Sequence, residues 1–278
     1  MSLQRYTAFS AHPTGGNPAG VMILERFPSD AEMQALAAEV GYSETAFAVP
    51  GPNGAFTVRY FSPAAEVAFC GHATIALAVA LSDAGYQTSL TLATGVGTVP
   101  VKVTRDPAGS VVATLTSAKA SVQPLDAALR SQLLSALRVQ PSDLDPRFPV
   151  AIGDSGNLHP VVVLADRRRL GALDYDFDRL RELCLRHRWT TIQVVHRGDD
   201  GTWSSRNPFP IGGIREDPAT GSAAIALGSY LRELAAIPVP GEIVIEQGRD
   251  LGRPGHLTVL VDDHAGPIRV SGTAVRIP

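Results

Sequence analysis

Residues 70–81 read CGHATIALAVAL and residues 219–231 read ATGSAAIALGSYL, and these two Ala-rich stretches decide the fold. Each is apolar nearly all round, the pattern of a helix buried on every side. Ala and Gly keep such a helix thin enough for a sheet to wrap closely around it. Set against each other at an offset of 150, the two segments and the residues just before them are identical at Glu66/Glu216, Gly71/Gly221, Ala73/Ala223, Ile75/Ile225, Ala76/Ala226 and Leu77/Leu227. Upstream, Arg59-Tyr60-Phe61-Ser62-Pro63 resembles Ser205-Arg206-Asn207-Pro208 at a slightly shifted register, a polar strand end before a Pro-containing loop. The reading is a duplicated α+β domain in which each half is a curved, mainly antiparallel β-sheet around one buried central helix.

The rest of the chain supplies the strands. Its 26 Gly and 21 Pro cut 278 residues into short pieces. Alternation of period two marks strands at 55–60, 98–104 and 242–246, and further strands are expected at 110–116, 161–164, 191–195, 257–261 and 267–277. Helical spacing of Met33, Leu36, Ala37 and Val40 after Ser29-Asp30-Ala31-Glu32 predicts a surface helix with a capping box. Amphipathic helices are expected at 125–137 and 177–185, and Arg167-Arg168-Arg169 reads as a solvated turn.

Composition excludes several functions. A net charge of −3 gives no basic surplus for nucleic acid. The longest uncharged apolar run, 73–81, is far short of the ~20 residues that cross a bilayer. Met1–Arg5 has no apolar signal core, so a cytoplasmic protein is expected. Cys70 and Cys184, the two cysteines, are too few for a disulfide framework or a structural zinc site. The seven histidines form no H-x-x-x-H pair, and no glycine motif has phosphate-loop or dinucleotide spacing. No metal and no cofactor is expected.

Chemistry gathers at the two helix starts. Each offers unpaired backbone N–H groups and a partial positive charge, through Gly71 in one and Gly221 in the other. Facing one another across a domain interface they would form a site for a small carboxylate, or for an enolate developing from one. Cys70 and His72 in the first segment, and Asp217 and Ser222 in the second, are groups able to handle protons. Each also has a plain reading: Cys70 as a small core residue, His72 as a core histidine, Asp217 or Ser222 as an N-cap. Glu44 differs, because in Tyr42-Ser43-Glu44-Thr45-Ala46-Phe47-Ala48-Val49 a carboxylate is costly unless used or paired. Desolvation there raises its pKa toward that of a reversible acid/base.

Four motifs, residues 14–21 (TGGNPAGV), 43–47 (SETAF), 70–74 (CGHAT) and 217–223 (DPATGSA), with a final 270–275 (VSGTAV), together resemble the PhzF phenazine-biosynthesis family of isomerases. The resemblance implies the diaminopimelate-epimerase fold: two pseudo-symmetric domains at about 1–115 and 116–265, a C-terminal strand at 266–278 returning to the first, and the active site in the cleft between them. It implies that Glu44 transfers the proton and that His72, Asp217 and Ser222 bind and orient the substrate. By the same likeness Asn17 contacts substrate or orders its loop, and Cys70 and the amides of Gly71 and Gly221 belong to the site. A homodimer is a further implication.

Diaminopimelate epimerases carry a cysteine base at each helix start, whereas this chain has Cys70 at one and Thr220 at the other. A Thr hydroxyl does not deprotonate a carbon acid at neutral pH, so symmetric two-thiol racemisation is not expected. The expected function is a cofactor-independent isomerase moving a proton within a small carboxylate-bearing metabolite. The alternative is a non-catalytic small-molecule-binding protein on the same fold.

Overall fold

In the computed structural model, which describes residues 3–86, 88–117, 120–263 and 266–278, the chain divides into two compact units. One comprises the chain up to Thr116 with Ser271–Pro278, and the other comprises Ser117–Val270. Of the seven histidines, His264 lies outside the described residues, as do Met1 and Ser2.

The first unit contains β1 (Gln4–Ala8), β2 (Asn17–Ile23), α1 (Asp30–Val40), β3 (Glu44–Pro50), β4 (Phe56–Phe61), β5 (Glu66–Val67), α2 (Gly71–Asp83), β6 (Ser89–Thr94), β7 (Gly97–Arg105) and β8 (Val111–Thr116). Pairing is antiparallel for β1–β2, β3–β4, β4–β5, β6–β7 and β7–β8, and parallel for β2–β3 and β4–β6. The two faces of this sheet are distinguished by period two. Met22, Phe47 and Phe61 pack against Met33 and Ala37 of α1 on one face. On the other face Tyr60 reaches α2, its hydroxyl 2.6 Å from Thr74 Oγ1. As its composition requires, α2 is buried continuously from His72 to Leu81. Helix α1 starts with the expected capping box of Ser29 and Glu32, and Gly41 ends it in the left-handed region.

The second unit contains β9 (Ser121–Pro124), α3 (Ala127–Ala136), β10 (Ala151–Asp154), β11 (Leu158–Val163), α4 (Arg167–Gly171), α5 (Phe177–His187), β12 (Gln193–Arg197), β13 (Trp203–Pro208), β14 (Glu216–Asp217), α6 (Gly221–Glu233), β15 (Gly241–Gln247) and β16 (Gly255–Val261). Its pairings repeat the first unit's. Strands β11 and β12 are parallel like β2 and β3, β12–β13 and β13–β14 are antiparallel, β13 and β15 are parallel like β4 and β6, and β15–β16 is antiparallel. Helix α6 occupies the place of α2 and is buried from Ala223 to Leu231. On the opposite face, Leu133 and Leu134 of α3 and Leu180 and Leu183 of α5 form a core with Val162, Val194 and Trp189. Both units are therefore curved, mainly antiparallel sheets around a buried central helix.

Two glycines let α6 sit this close to its sheet. A Cβ on Gly153 of β10 would lie 2.7 Å from Ala226 Cβ, and one on Gly228 of α6 would lie 2.8 Å from Val259 Cγ1. Both distances are inside van der Waals contact.

Strand β17 (Ile268–Arg276) begins in the second unit and ends in the first, where it pairs antiparallel with β1, Tyr6 opposite Arg276 and Ala8 opposite Ala274.

Strands β1, β2, β5, β6, β9, β10 and β14 have no counterpart among the sequence expectations. For β2 the reason is burial on both faces, which removes alternation from NPAGVMI. The Arg run is a short helix, not a turn: Asp166 accepts from the backbone N–H of Arg168 and caps α4. Arg167 and Arg169 pair with Asp250 and Asp143, and the exposed Arg168 pairs with Asp166 at 3.1 Å. Among the described residues, no helix is long and apolar enough to cross a membrane.

Candidate active site

Glu44 opens β3 on the face that carries Ala46 toward α2, and Cys70 is the residue that caps α2. Strand start and helix start thus deliver Glu44, Cys70 and His72 to one point. His72 Nε2 lies 3.4 Å from Glu44 Oε2 and 3.2 Å from Ser43 Oγ. Cys70 Sγ lies 3.3 Å from His72 Nδ1 and 3.9 Å from Nε2. Cys70 and His72 are buried, and the Glu44 side chain is 15% exposed.

Burial pushes the Glu44 carboxyl above its ordinary pKa, and hydrogen bonds with Ser43 and Cys70 pull it partly back. A carboxyl so balanced gives and takes a proton more readily near neutrality than an exposed one does. Cys70 is itself held from behind. Thr74 Oγ1 donates to the Cys70 carbonyl at 2.6 Å and therefore accepts from the Tyr60 hydroxyl. Gly71 and His72 are the first two residues of α2, whose amides lack intrahelical acceptors. Asn17 begins β2, buried, opposite Ala8, two residues before Ala19, which pairs with Glu44.

In the second unit, the short strand β14 brings Asp217, 6% exposed, to the entry of α6. Thr220, not Asp217 or Ser222, is the N-cap, and its side chain makes no cap hydrogen bond. Its hydroxyl instead donates to Asp217 Oδ2 at 2.6 Å. Gln247 completes the arrangement from β15. Its Nε2 donates to the Asp217 carbonyl at 2.8 Å and to Thr220 Oγ1 at 3.0 Å, while its Oε1 accepts from the Thr220 amide at 3.2 Å. Gly221 and the half-buried Ser222 open α6, so their amides point out of its positive end.

The structure therefore brings Glu44, Cys70, Gly71 and His72 together at the start of α2, with Asn17 two residues along β2 from the partner of Glu44, and places Asp217, Gly221 and Ser222 at the start of α6. Cys70 and Thr220 hold the same place in the two units, the N-cap of the buried helix. Tyr60 and Gln247 escaped the sequence reading. Gln247 is polar, buried and last in an alternating strand, a signal visible only once the strand's inner face is known. The residue types of the first group also suit a metal, since Glu44, Cys70 and His72 each offer a donor atom within 4.8 Å of the others.

Comparison with known proteins adds the lineage. The PhzC-PhzF family, described as phenazine biosynthesis-like protein, matches residues 6–277. The chain is 32% identical to trans-2,3-dihydro-3-hydroxyanthranilate isomerase of Pseudomonas aeruginosa, covering 95% of this chain and 93% of that protein. It is 30% identical to the uncharacterized isomerase YfhB of Bacillus subtilis, over 98% of this chain and 94% of the relative. Among solved structures, a PhzF-family phenazine biosynthesis protein of Bacillus anthracis superposes with a TM-score of 0.90 at 24% identity, covering 99% and 96% of the two chains. A protein described as a probable proline racemase, from Agrobacterium radiobacter K84, shares the fold at a TM-score of 0.67 and 15% identity, covering 98% and 90% of the two chains. With a match across nearly its whole length and the same repeated sheet around each buried helix, this chain belongs to the PhzF family of phenazine biosynthesis-like proteins.

Proposed function

We propose that the protein is an isomerase that moves a proton within a small carboxylate-bearing metabolite, without a cofactor, with Glu44 as the general acid/base. The observation that carries this reading is Glu44 itself, a carboxyl only 15% exposed with a raised pKa, 3.4 Å from His72 and in hydrogen-bond contact with Ser43 and Cys70. The names of the relatives support the reaction class, since they are isomerases.

In this mechanism the ionised Glu44 takes a proton from an activated carbon of the substrate. The same carboxyl returns it to another carbon of the same molecule, so no proton is consumed overall. His72 and Asp217 orient the substrate and meet the charge that shifts as the C–H bond breaks. Ser222 and the amides of Gly71 and Gly221 hold the carboxylate, as helix starts do for anions. Asn17 orders the loop before β2 or touches the substrate. Burial keeps water from intercepting the proton, which favours return to substrate over loss to solvent. The working form is proposed to be a cytoplasmic homodimer.

Thr220 argues for one base rather than two. Its hydroxyl is spent on Asp217, and it occupies the position equivalent to Cys70. A carbon acid is therefore approached by one proton-transfer group, which suits migration between carbons better than inversion at one.

The test is NMR of candidate cyclic or enolisable hydroxy and amino acids in deuterium oxide with purified protein. Exchange or migration of a carbon-bound hydrogen, reduced at least ~10²-fold in Glu44→Gln, is the expected result. A metabolite that copurifies, is returned unchanged, exchanges nothing and binds more tightly to Glu44→Gln would make this a binding protein instead.

A further inference from the structure

We infer that Glu44, Cys70 and His72 form a binding site for a thiophilic divalent cation of the Zn2+ class, and that occupancy shuts off proton transfer. The regulatory half of this inference rests on the isomerase reading, whereas the binding half does not.

The His72–Glu44 separation is that of two corners of a tetrahedral metal site, and Cys70 stands close to the third. Bonds of ~2.1 Å to N and O and ~2.3 Å to S, at tetrahedral angles, separate the ligand atoms by roughly 3.4 Å for N···O and roughly 3.6 Å for N···S. His72 Nε2 stands 3.4 Å from Glu44 Oε2 and 3.9 Å from Cys70 Sγ. The donor atoms of all three residues lie within 4.8 Å of one another. The His72–Cys70 separation closes by a few tenths of an ångström, and rotation of the Glu44 and Cys70 side chains sets the third side; three-ligand zinc sites take water in the fourth position.

Ligand chemistry sets the class of ion. Thiolate with imidazole selects Zn2+, and Co2+ as its probe, over Mg2+ and Ca2+, which take oxygen sets. Cys70 loses its proton to solvent when the ion binds, and with the Glu44 carboxylate this sets two negative ligands and a neutral imidazole against a 2+ ion. The positive end of α2 favours the thiolate of its N-cap cysteine. Its partial charge, about half a unit, is outweighed by the two anionic ligands. The scaffold is stiff, since the donors stand at a strand start and a helix start, and the Cys70 carbonyl is fixed by Thr74. The functional consequence is direct: a carboxylate bound to a cation cannot serve as a base.

The experiment is a Co2+ titration of the chelator-stripped full-length protein. A single equivalent is expected to produce a near-ultraviolet thiolate-to-Co2+ band with visible bands of tetrahedral intensity, all displaced by Zn2+. Cys70→Ala should abolish the thiolate band, and Glu44→Gln should weaken Co2+ binding at least about tenfold. Cys184→Ser should leave the spectrum unchanged, because that thiol is buried in α5 with its pKa pushed up to about 12. Circular dichroism checks each fold, and Cys70→Ser replaces the alanine variant if that one does not fold.

Absence of a thiolate band in folded wild-type protein, or its survival in Cys70→Ala, overturns the site. In the exchange assay, stoichiometric Zn2+ should stop deuterium uptake and a chelator should restore it. Uptake that persists in Zn2+-saturated protein overturns the regulation. A cobalt band in protein that exchanges no carbon acid would support the metal site and count against the isomerase reading.

Discussion

Arg206 and Glu216 repeat in the second unit the two-bonded pairing that Arg59 and Glu66 make in the first, but with the charges buried. Arg59 donates to Glu66 at 2.7 and 2.6 Å from side chains 25% and 44% exposed. The Arg206 and Glu216 side chains are 12% and 4% exposed, and Arg206 also donates to the carbonyls of Leu170 and Gly171. Removing one partner of a buried pair strands the other charge. Glu216→Gln should therefore cost about 3 kcal/mol in urea unfolding, against less than about 1 kcal/mol for Glu66→Gln.

Glu44→Gln should gain stability where it loses activity. The native carboxyl binds its proton more tightly than the unfolded one, so its contribution is complete at low pH and is lost as pH rises through the raised native pKa. Thermal unfolding should show wild type and variant close together at pH 4 and the variant ahead at pH 8. Curves that stay parallel would mean Glu44 is not perturbed.

His159 works with the opposite sign. It is fully buried beside Thr191 at 2.9 Å, and desolvation lowers its pKa to about 3. The unfolded chain takes up a proton below pH ~6.5 that the native state refuses. Wild type should lose stability steadily as pH falls from 6.5 toward 3, and His159→Leu should flatten that slope in denaturation measured across the range.

Thr220→Val removes the hydroxyl that donates to Asp217 and accepts from Gln247. A stability loss of about 1–3 kcal/mol is expected from the stranded polar atoms. If Asp217 orients the substrate, kcat should fall while Thr220→Ser stays near wild type. Equal losses in both variants would leave the hydroxyl without a role.

Cys70→Ala should reduce proton exchange less than Glu44→Gln does. A comparable loss, measured by deuterium incorporation, would make the thiol the base.

Both central helices were readable from sequence because Ala-rich segments apolar on all sides have few other uses. The repeat was readable because Glu66/Glu216 and the glycines five residues later recur at one spacing. Glu44 stood out as a charge in an apolar strand. Less legible was its company: His72 and Cys70 lie in another segment, and the donor set they form with Glu44 has no linear spacing to find. Histidine pairs at H-x-x-x-H spacing do not include it. Strand β2 was hidden because a sheet covered on both faces erases the alternation that announces a strand. Gln247 was hidden because its partners, the Thr220 amide and hydroxyl and the Asp217 carbonyl, lie 27 and 30 residues away.

The passage of β17 from one unit to the other bears on the order of synthesis. The stretch that completes the first unit's sheet, Ser271–Pro278, leaves the ribosome after all of Ser117–Val270. Until then β1 lacks the neighbour that pairs with Tyr6, Thr7 and Ala8, and offers an open edge to any passing strand. The unit that begins first is thus finished last, its border unsealed for as long as Ser117–Val270 are being made.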